Sequence, residues 1–499
     1  MLSGVINTNV NALYALNSLS NTASAANTLE QQLSSGQSIN SPADNPAGYI
    51  AAQGFTTQIG GTEQAISNVN QAISLVQTAD GSVTQQVNIL QQLRTIAAQS
   101  ANGINSSQQL QSLQQVVSQL QTQVTTISQQ AVFSGLNLLD GSLNGVQFQV
   151  GSSEGQTIGL SIASTAANNL GSYQSASKSG GIYSTAGSAT GGVGDTSGNS
   201  FTVTSGTTQG AFTAGAVAVS GSAGSASATV TGVAESAQDV AASINQITPQ
   251  TNVSALANTS VAFTVTSGSI SFKLGNGSGT SATNSVDISA TVTSVTQSGL
   301  QSLVSAINQQ TGTTGITATV NSSNQLILNQ GNGDNISISS FAAGGGSLAA
   351  GGVTIGGAGA TSATVQGLVT LQSNQNFAID DTTAGSIGLG STSSLSNLSS
   401  VNVSTTSGAN AALNVVDYAL QQLENIGAQL GAVQQRLQAT ASNLQSTDTN
   451  LTTARSIVQD ANIPQVTSKL TTQQILQQAG VSALAQSSSL EQSYLKLLQ

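Results

Sequence analysis

"SLQQVVSQLQTQVTTISQQA", residues 112–131, carries apolar side chains at Leu113, Val117, Leu120, Val124, Ile127 and Ala131. The steps alternate four and three. An α-helix turns once in 3.6 residues, so this spacing lays one stripe along a helix and predicts a coiled-coil-like seam. The same period precedes it at Ile66, Val69, Ile73, Val76, Val83, Val87 and Leu90. Near the C-terminus, Leu413, Val416, Leu420, Leu423, Leu430, Leu437, Leu444, Leu451 and Val458 continue it for about six heptads. A helix of about 50 residues runs about 75 Å, more than a globular core of this size needs. The pattern predicts a helical rod built from both ends of the chain.

Between the first two of these helices, "SANGINSSQQ" at 100–109 supplies Asn102-Gly103 and a Ser cap, the signature of a helical hairpin turn. A further pair is predicted at the chain ends, over about 11–33 and 471–498. Its apolar positions include Leu13, Leu16, Leu19, Ala23, Ala26 and Leu33 on one side, and Ile475, Leu476, Ala479, Leu484, Leu490 and Leu497 on the other. Both stretches are almost uncharged on every face, which suits burial among other helices better than contact with water. "SSGQSINSPADNPAGYIAAQ", 34–53, separates the first of them from the rod. Gly36 can take a positive φ, Pro42 and Pro46 stop a helix, and Asp44 or Asn45 can cap the next helix. It reads as an ordered joint. Its near lack of charge favours contact with identical chains, with Gly36, Ile39, Asn40, Asp44 and Gly48 as candidate interface residues.

Composition removes whole classes of function. The 499 residues include no His, Cys or Trp. No imidazole serves as a base and no thiolate as a nucleophile, so neither a Ser/His/Asp triad nor a zinc site can be built. No catalytic residue, cofactor or metal site is expected. The net charge is −11, yet only 5% of residues are charged, and seven Lys and Arg make no basic patch for nucleic acid. Low charge density also means weak repulsion between identical chains. No apolar run is long enough to span a membrane, and the first thirty residues lack the pattern of a secretory signal. Asp380-Asp381 and "GNGDN" at 331–335 read as turn residues, since neither leads into a full calcium loop. The many Ser and Thr would accept O-linked glycans, with no single site readable.

The middle, about 145–400, is dominated by Gly, Ser, Thr, Ala and Val. It contains a duplication: "FTVTSG" stands at 201–206 and again at 263–268, and "ATVTGVAESAQDVAASINQ" from Ala228 matches "ATVTSVTQSGLQSLVSAINQ" from Ala290. Each unit predicts strands by alternation and a short helix ending at "IN", with Val240 and Ile244 inward in one copy and Leu303, Val304 and Ile307 in the other. "GSYQSASKSGGIYSTAGSATGGVGDTSG" and "AAGGGSLAAGGVTIGGAGATSA" read as loops or irregular strand segments.

Taken with their spacing, these segments resemble bacterial flagellin, the subunit of the flagellar filament. The resemblance rests on "VINTN" at Val5–Asn9, "LSSGQSINSPADNPAGYIAAQ", "QQAVFSGLNLLDG" at 129–141, "FQVGSSEGQTIGLSI", and the C-terminal "LGAVQQRLQATASNLQSTDTNLTTARSIVQDANIP" and "QILQQAGVSALAQSSSLEQSYLKLL". It covers about 160 residues at one end and about 110 at the other. It implies an α+β chain in which a long coiled-coil-like helical rod is formed from both termini and a β-rich variable outer region is inserted in the middle. Residues 1–40 and 460–499 would make the inner channel-lining domain. Residues 41–178, with the spoke segment and a β-hairpin, and 376–459 would make the rod. Residues 179–375 would make the outer region, with repeats at about 201–262 and 263–328.

The resemblance further implies an extracellular homopolymer, exported unfolded without a cleaved signal and escorted by an export chaperone. It implies flagellar cap and hook-junction proteins as partners, and Toll-like receptor 5 as an innate receptor facing Arg94, Ile96 and Gln99. This chain departs from the family at Gln37 and Ser38, where Lys or Arg is usual, and at Gln92, Thr95 and Val116, where Arg and Glu are common. Fewer charges should weaken that receptor contact, and a solvated rod position is the plainer reading of Arg94. Two other functions compete. A hook-filament junction protein shares similar termini but not the strong "LSSG" match or so large a middle. A secreted repeat adhesin would need no matching helical termini.

Overall fold

The computed structural model describes residues 9–176, 181–184, 192–194, 200–205, 212, 214–231, 235–277, 283–350, 353–356, 362–381 and 389–497. Most of "VINTN" and parts of the two Gly/Ser-rich stretches lie outside them. Both ends of the chain are helical and the centre is strand-rich, as the α+β reading expects. The helices of the ends are α1 (Val10–Ser35), α2 (Pro46–Ser100), α3 (Ser107–Gln130), α8 (Thr406–Gln459) and α9 (Ile463–Leu497). The centre holds α4 (Ala237–Asn245), α6 (Gln301–Asn308) and two single turns, α5 (Thr248–Thr251) and α7 (Thr311–Thr314). The chain divides into two compact units. One comprises Met1–Thr78, Asn144–Ser161 and Leu430–Gln499; the other comprises Ala79–Leu143 and Ile162–Gln429.

Helix α3 starts where sequence chemistry directs. The Ser106 hydroxyl accepts from the Gln109 amide at 3.3 Å, and the Ser106 amide donates to Gln109 Oε1 at 2.8 Å. Two of the otherwise orphaned donors are thereby satisfied. The heptad period holds in all three long helices, but the second line of the seam is displaced from the predicted one. On α2 the buried face runs Thr62, Ala65, Val69, Ala72, Val76, Ala79, Val83, Gln86, Leu90, Leu93, Ala97 and Ser100. Ile66, Ile73 and Val87 lie beside it, half-buried. On α3 the line is Val117, Gln121, Val124, Ser128 and Ala131, while Leu113, Leu120 and Ile127 are half-buried. On α8, Ala412 and Ala419 are buried where Leu413 and Leu420 were expected, and Leu444, Leu451 and Val458 are only half-buried. Ala, Ser and Thr alternate with Val and Leu along the buried line. The larger aliphatics pack along its flank.

Buried and half-buried glutamines replace apolar residues where a helix must hold non-helical backbone. Gln121 Nε2 donates to the carbonyls of Leu398 and Val401 at 2.8 and 3.1 Å. Gln114 Oε1 accepts from the Val403 amide at 2.6 Å. Gln86 Nε2 donates to the non-helical Thr165 carbonyl at 3.3 Å, and also to the Val124 carbonyl of α3 at 2.9 Å. Gln422 accepts from the Gly171 amide and donates to the Asn374 carbonyl. A buried backbone carbonyl without a donor is costly, and these amides remove that cost.

Among the described residues, the strands of the second unit pair antiparallel, apart from Gly181–Ser184, which runs parallel to Ser200–Ser205, and a parallel bridge between Ser269 and Gly345. The strand-rich centre has two cores, each gathered on the short helix of one repeat. The first gathers Phe212, Val217, Val219, Val240, Ile244 and Phe377. The second gathers Phe263, Phe272, Leu274, Leu303, Ile307 and Leu328. The rings of Phe272 and Phe341 stack at 5.8 Å. Asp380 and Asp381 are not turn residues. They end a strand, Ala378–Asp381, paired with Gly215–Gly221, because Phe377 and Ile379 bury into the first core and carry them into the ladder. "GNGDN" does form a turn, with the Gly333 amide donating to the Gln330 carbonyl at 3.2 Å.

The duplicated "IN" has a definite job in both copies. Asn245 Nδ2 donates to the Ala255 carbonyl at 2.9 Å, and Asn245 Oδ1 accepts from the Ala255 amide at 2.7 Å. Asn308 makes the same two bonds to Ala318, at 2.9 and 2.7 Å. The amide of one side chain mimics a strand partner and fastens the end of the helix to the next strand. Thr248 and Thr311 repeat the echo, each donating to the carbonyl five residues on, Val253 and Ile316. Asn245→Ala and Asn308→Ala should each destabilise the strand-rich centre by about 1–3 kcal/mol, the cost of leaving both backbone groups unpaired. Calorimetry should show its melting lowered while the helix signal of the chain ends is retained. Unchanged melting in both variants would contradict the clamp.

Candidate functional site

The candidate joint is tied down at both of its ends. Gly36 closes α1 at φ +71°, the left-handed region where a Cβ is strained. The chain then meets the short connection between α8 and α9. The Ser38 amide donates to the Gln459 carbonyl at 2.7 Å, and the Ala461 amide donates to the Gly36 carbonyl at 2.9 Å. The Ser38 hydroxyl adds a bond to Gln459 at 3.1 Å, and Gln32 Nε2 donates to the Ser38 carbonyl at 3.0 Å.

Ile39 turns inward and is 6% exposed. Its Cδ1 lies 2.5 Å from where a Cβ on residue 48 would stand, so Gly48 is required for the approach. Asp44 and Asn45 divide the capping work. The Asp44 carboxylate accepts from the Ser41 amide at 2.8 Å and the Asn40 amide at 2.9 Å, and from the Ser41 hydroxyl at 3.1 Å. These donors, the Ser41 amide first, hold its carboxyl below the usual carboxylate range. Asn45 caps α2 by accepting from the Gly48 amide at 3.0 Å, with Pro46 at the first helical position. The five residues singled out in the sequence, Gly36, Ile39, Asn40, Asp44 and Gly48, thus lie on one internally bonded segment. Nearby in sequence, Ile50, Ile457 and Ile463 are 72%, 80% and 40% exposed.

The terminal helices pack along each other, and Leu19 Cδ1 reaches Gly480 of α9. They bury little in doing so. In α1 only Ala26 is buried, and in the described part of α9 only Val466. Leu13, Tyr14, Leu16, Ile475, Leu476, Val481 and Leu490 are all half-exposed or more. Glu30 is the sole charge on α1, and Lys469, Glu491 and Lys496 are those of α9. The result is a helix pair with an apolar, nearly neutral surface and no core of its own.

Arg94 is exposed on α2, and its Nε donates to Asp417 of α8 at 2.5 Å. That hydrogen bond, then the charge of Asp417, raises its pKa further. Gln99 is exposed and Ile96 half-buried. The Gln99 carbonyl accepts from Asn105 Nδ2 at 2.6 Å and so helps close the α2–α3 turn. Two groups of residues escaped the sequence reading. The buried Gln86 and Gln121 and the half-buried Gln114 look like solvent-facing polar positions in a heptad. Asn245 and Asn308 carried a signal, their repetition at a fixed offset, but that spacing does not say what an Asn does.

The bacterial flagellin N-terminal helical region matches residues 6–144, the bacterial flagellin C-terminal helical region matches 413–498, and the flagellin hook IN motif matches 269–332. The chain is 38% identical over 520 aligned positions to the B-type flagellin of Pseudomonas aeruginosa, covering 99% of each chain. It is 39% identical over 158 positions to Flagellin B of Vibrio anguillarum, covering 32% of this chain and 42% of that one. Among solved structures, it is similar to FliC from Burkholderia pseudomallei at 18% identity and a TM-score of 0.29, covering 73% of this chain and 99% of that one. Hook-associated protein 3 from Legionella pneumophila aligns at 11% identity and a TM-score of 0.33, covering 81% and 97%. With a full-length relative at this identity and helical-region matches at both ends, the chain belongs to the bacterial flagellin family.

Proposed function

We propose that this chain builds the bacterial flagellar filament, the hollow helical propeller of swimming, through the paired terminal helices. The observation that carries the mechanism is the pair α1 and α9, which leaves Leu13, Tyr14 and Leu16 of α1 and Ile475, Leu476 and Leu490 of α9 half-exposed or more, with almost no charge between them. Each such leucine contributes about 1 kcal/mol when a neighbour covers it. Repeated over several residues and many subunits, that drives polymerisation. The chain's role is structural, and a junction protein between hook and filament is the less favoured reading.

Residues 1–40 and 460–499 form the inner layer in this proposal. Residues 41–178 and 376–459 form the rod, and 179–375 face outward. Gly36, Ile39, Asn40, Asp44 and Gly48 shape a joint that neighbouring copies contact. The exposed terminal helices are the segment an export chaperone covers before assembly. The subunit leaves the cell without a cleaved signal and meets cap and hook-junction proteins outside it. An innate receptor facing Arg94, Ile96 and Gln99 finds a single cation already paired with Asp417, which makes that contact weak.

Removing residues 475–499 should abolish filaments in electron micrographs, while the strand-rich centre keeps its thermal transition. Full-length filaments from that truncation would refute the role of the terminal pair. A chain with residues 180–375 replaced by a short linker should still polymerise. In the joint, Gly48→Val collides with Ile39 and should lower assembly without lowering melting of the centre.

Acid should loosen the joint. The folded pKa of Asp44 lies below its unfolded value of about 3.9, so its stabilising contribution is complete above that value and is lost as pH falls through the folded one. Amide exchange at Asn40 and Ser41 should accelerate on that descent. In Asp44→Ala the acid-dependent step should disappear.

A further inference from the structure

We propose that Asn102 is a site of spontaneous covalent modification, deamidation by the chain's own backbone, selected by the fold from among chemically identical alternatives. Asn-Gly occurs in this sequence at Asn102–Gly103, Asn144–Gly145, Asn276–Gly277 and Asn332–Gly333. Glycine puts no Cβ in the way, so its amide nitrogen can reach the carboxamide carbon of the preceding asparagine. That nitrogen must be free to move and must not be engaged as a donor.

In two of the pairs it is engaged as a donor, and in a third the glycine is held in a strand. The Gly145 amide donates to Ser161 Oγ at 2.9 Å. The Gly333 amide donates to the Gln330 carbonyl at 3.2 Å. Gly277 sits in a strand, opposite Asn335 in the ladder. Gly103 differs. Its amide makes no hydrogen bond among the described residues, and nothing lies within 4 Å of where a Cβ would stand. It belongs to the turn between α2 and α3, whose neighbour Ile104 is 86% exposed. The Asn102 side chain is loosely held, with Oδ1 accepting from the Ile104 amide at 3.4 Å.

The reaction balances with water alone. The Gly103 nitrogen gives up its proton and forms a bond to Asn102 Cγ. The Cγ–Nδ2 bond breaks and ammonia leaves with that proton. Water then opens the cyclic imide to aspartate or isoaspartate. One water is consumed, one ammonia is released, and nothing is oxidised or reduced. A carboxylate appears in a stretch that has no charged residue from Thr95 to Leu139. The isoaspartate form also adds a methylene to the backbone of the turn, which disrupts the bond from the Asn105 amide to the Asn102 carbonyl, 3.3 Å long.

The test is to age the purified full-length protein in mildly alkaline buffer and follow peptides by mass spectrometry, with isoelectric focusing of the intact chain. The net charge is only −11, so a single added negative charge resolves as a separate band. The peptide holding Asn102 should gain one mass unit at least about tenfold faster than those holding Asn144, Asn276 or Asn332, a difference of about 1.4 kcal/mol in barrier. Asn102→Gln should suppress the acidic band. In denaturant the four rates should converge, since the fold protects the other three. No change at Asn102, an equal rate at any other pair in the folded protein, or an undiminished preference for Asn102 in denaturant would overturn the proposal.

Discussion

Two strands of backbone far apart in sequence have to meet before anything else in the first compact unit makes sense. The Ser38 amide donates to Gln459, and the Ala461 amide donates to Gly36. These bonds close a loop that contains most of the chain. Closing so long a loop costs entropy, though the cost grows only with the logarithm of its length. It is offset by the hydrogen bonds of the joint and of the α8–α9 connection, since α1 and α9 bury little against each other. Once the ends are held, a large strand-rich insertion can fold within its own cores, because Phe212 and Ile244 in one repeat and Phe272 and Ile307 in the other need nothing from the terminal helices.

The pair so formed is incomplete by the ordinary physics of helices. A helix that presents Leu13 and Leu16 to water, with Glu30 as its only charge, is neither a solvated surface helix nor a buried one. The half-buried Leu113, Leu120 and Ile127 on α3, beside a closed line of Val, Gln and Ser, show the same condition in milder form. Membership of the flagellin family supplies the missing context, a polymer of identical subunits. The low charge then has a purpose, because identical charged faces would repel one another as subunits pack side by side.

Periodicity made the helices legible, and the position of Gly36 and the prolines made the joint legible. What could not be read was which neighbour of each Val line is buried. Ile66 and Ala65 are both apolar, and hydrophobic pattern prefers the larger. The structure buries Ala65 and leaves Ile66 half-buried, a choice between apolar neighbours that the sequence does not state. The buried and half-buried glutamines were hidden for a related reason: an amide at a heptad position signals solvent until the strap it holds, Leu398–Val403, is known. In the middle, strands and short helices followed from alternation and repeat. Asp380 and Asp381 were drawn into a strand by Phe377 and Ile379, a tertiary effect that local turn propensity cannot anticipate.

The central claim is that the terminal helices complete their packing only against other copies of the chain. Amide hydrogen exchange, compared between soluble subunits and assembled filaments, tests it most directly. The account predicts that α1 and α9 exchange rapidly in the subunit and become strongly protected in the filament, while the strands around Phe263 and Phe272 are protected in both. Terminal helices equally protected in the soluble subunit, or still rapidly exchanging in the filament, would contradict it.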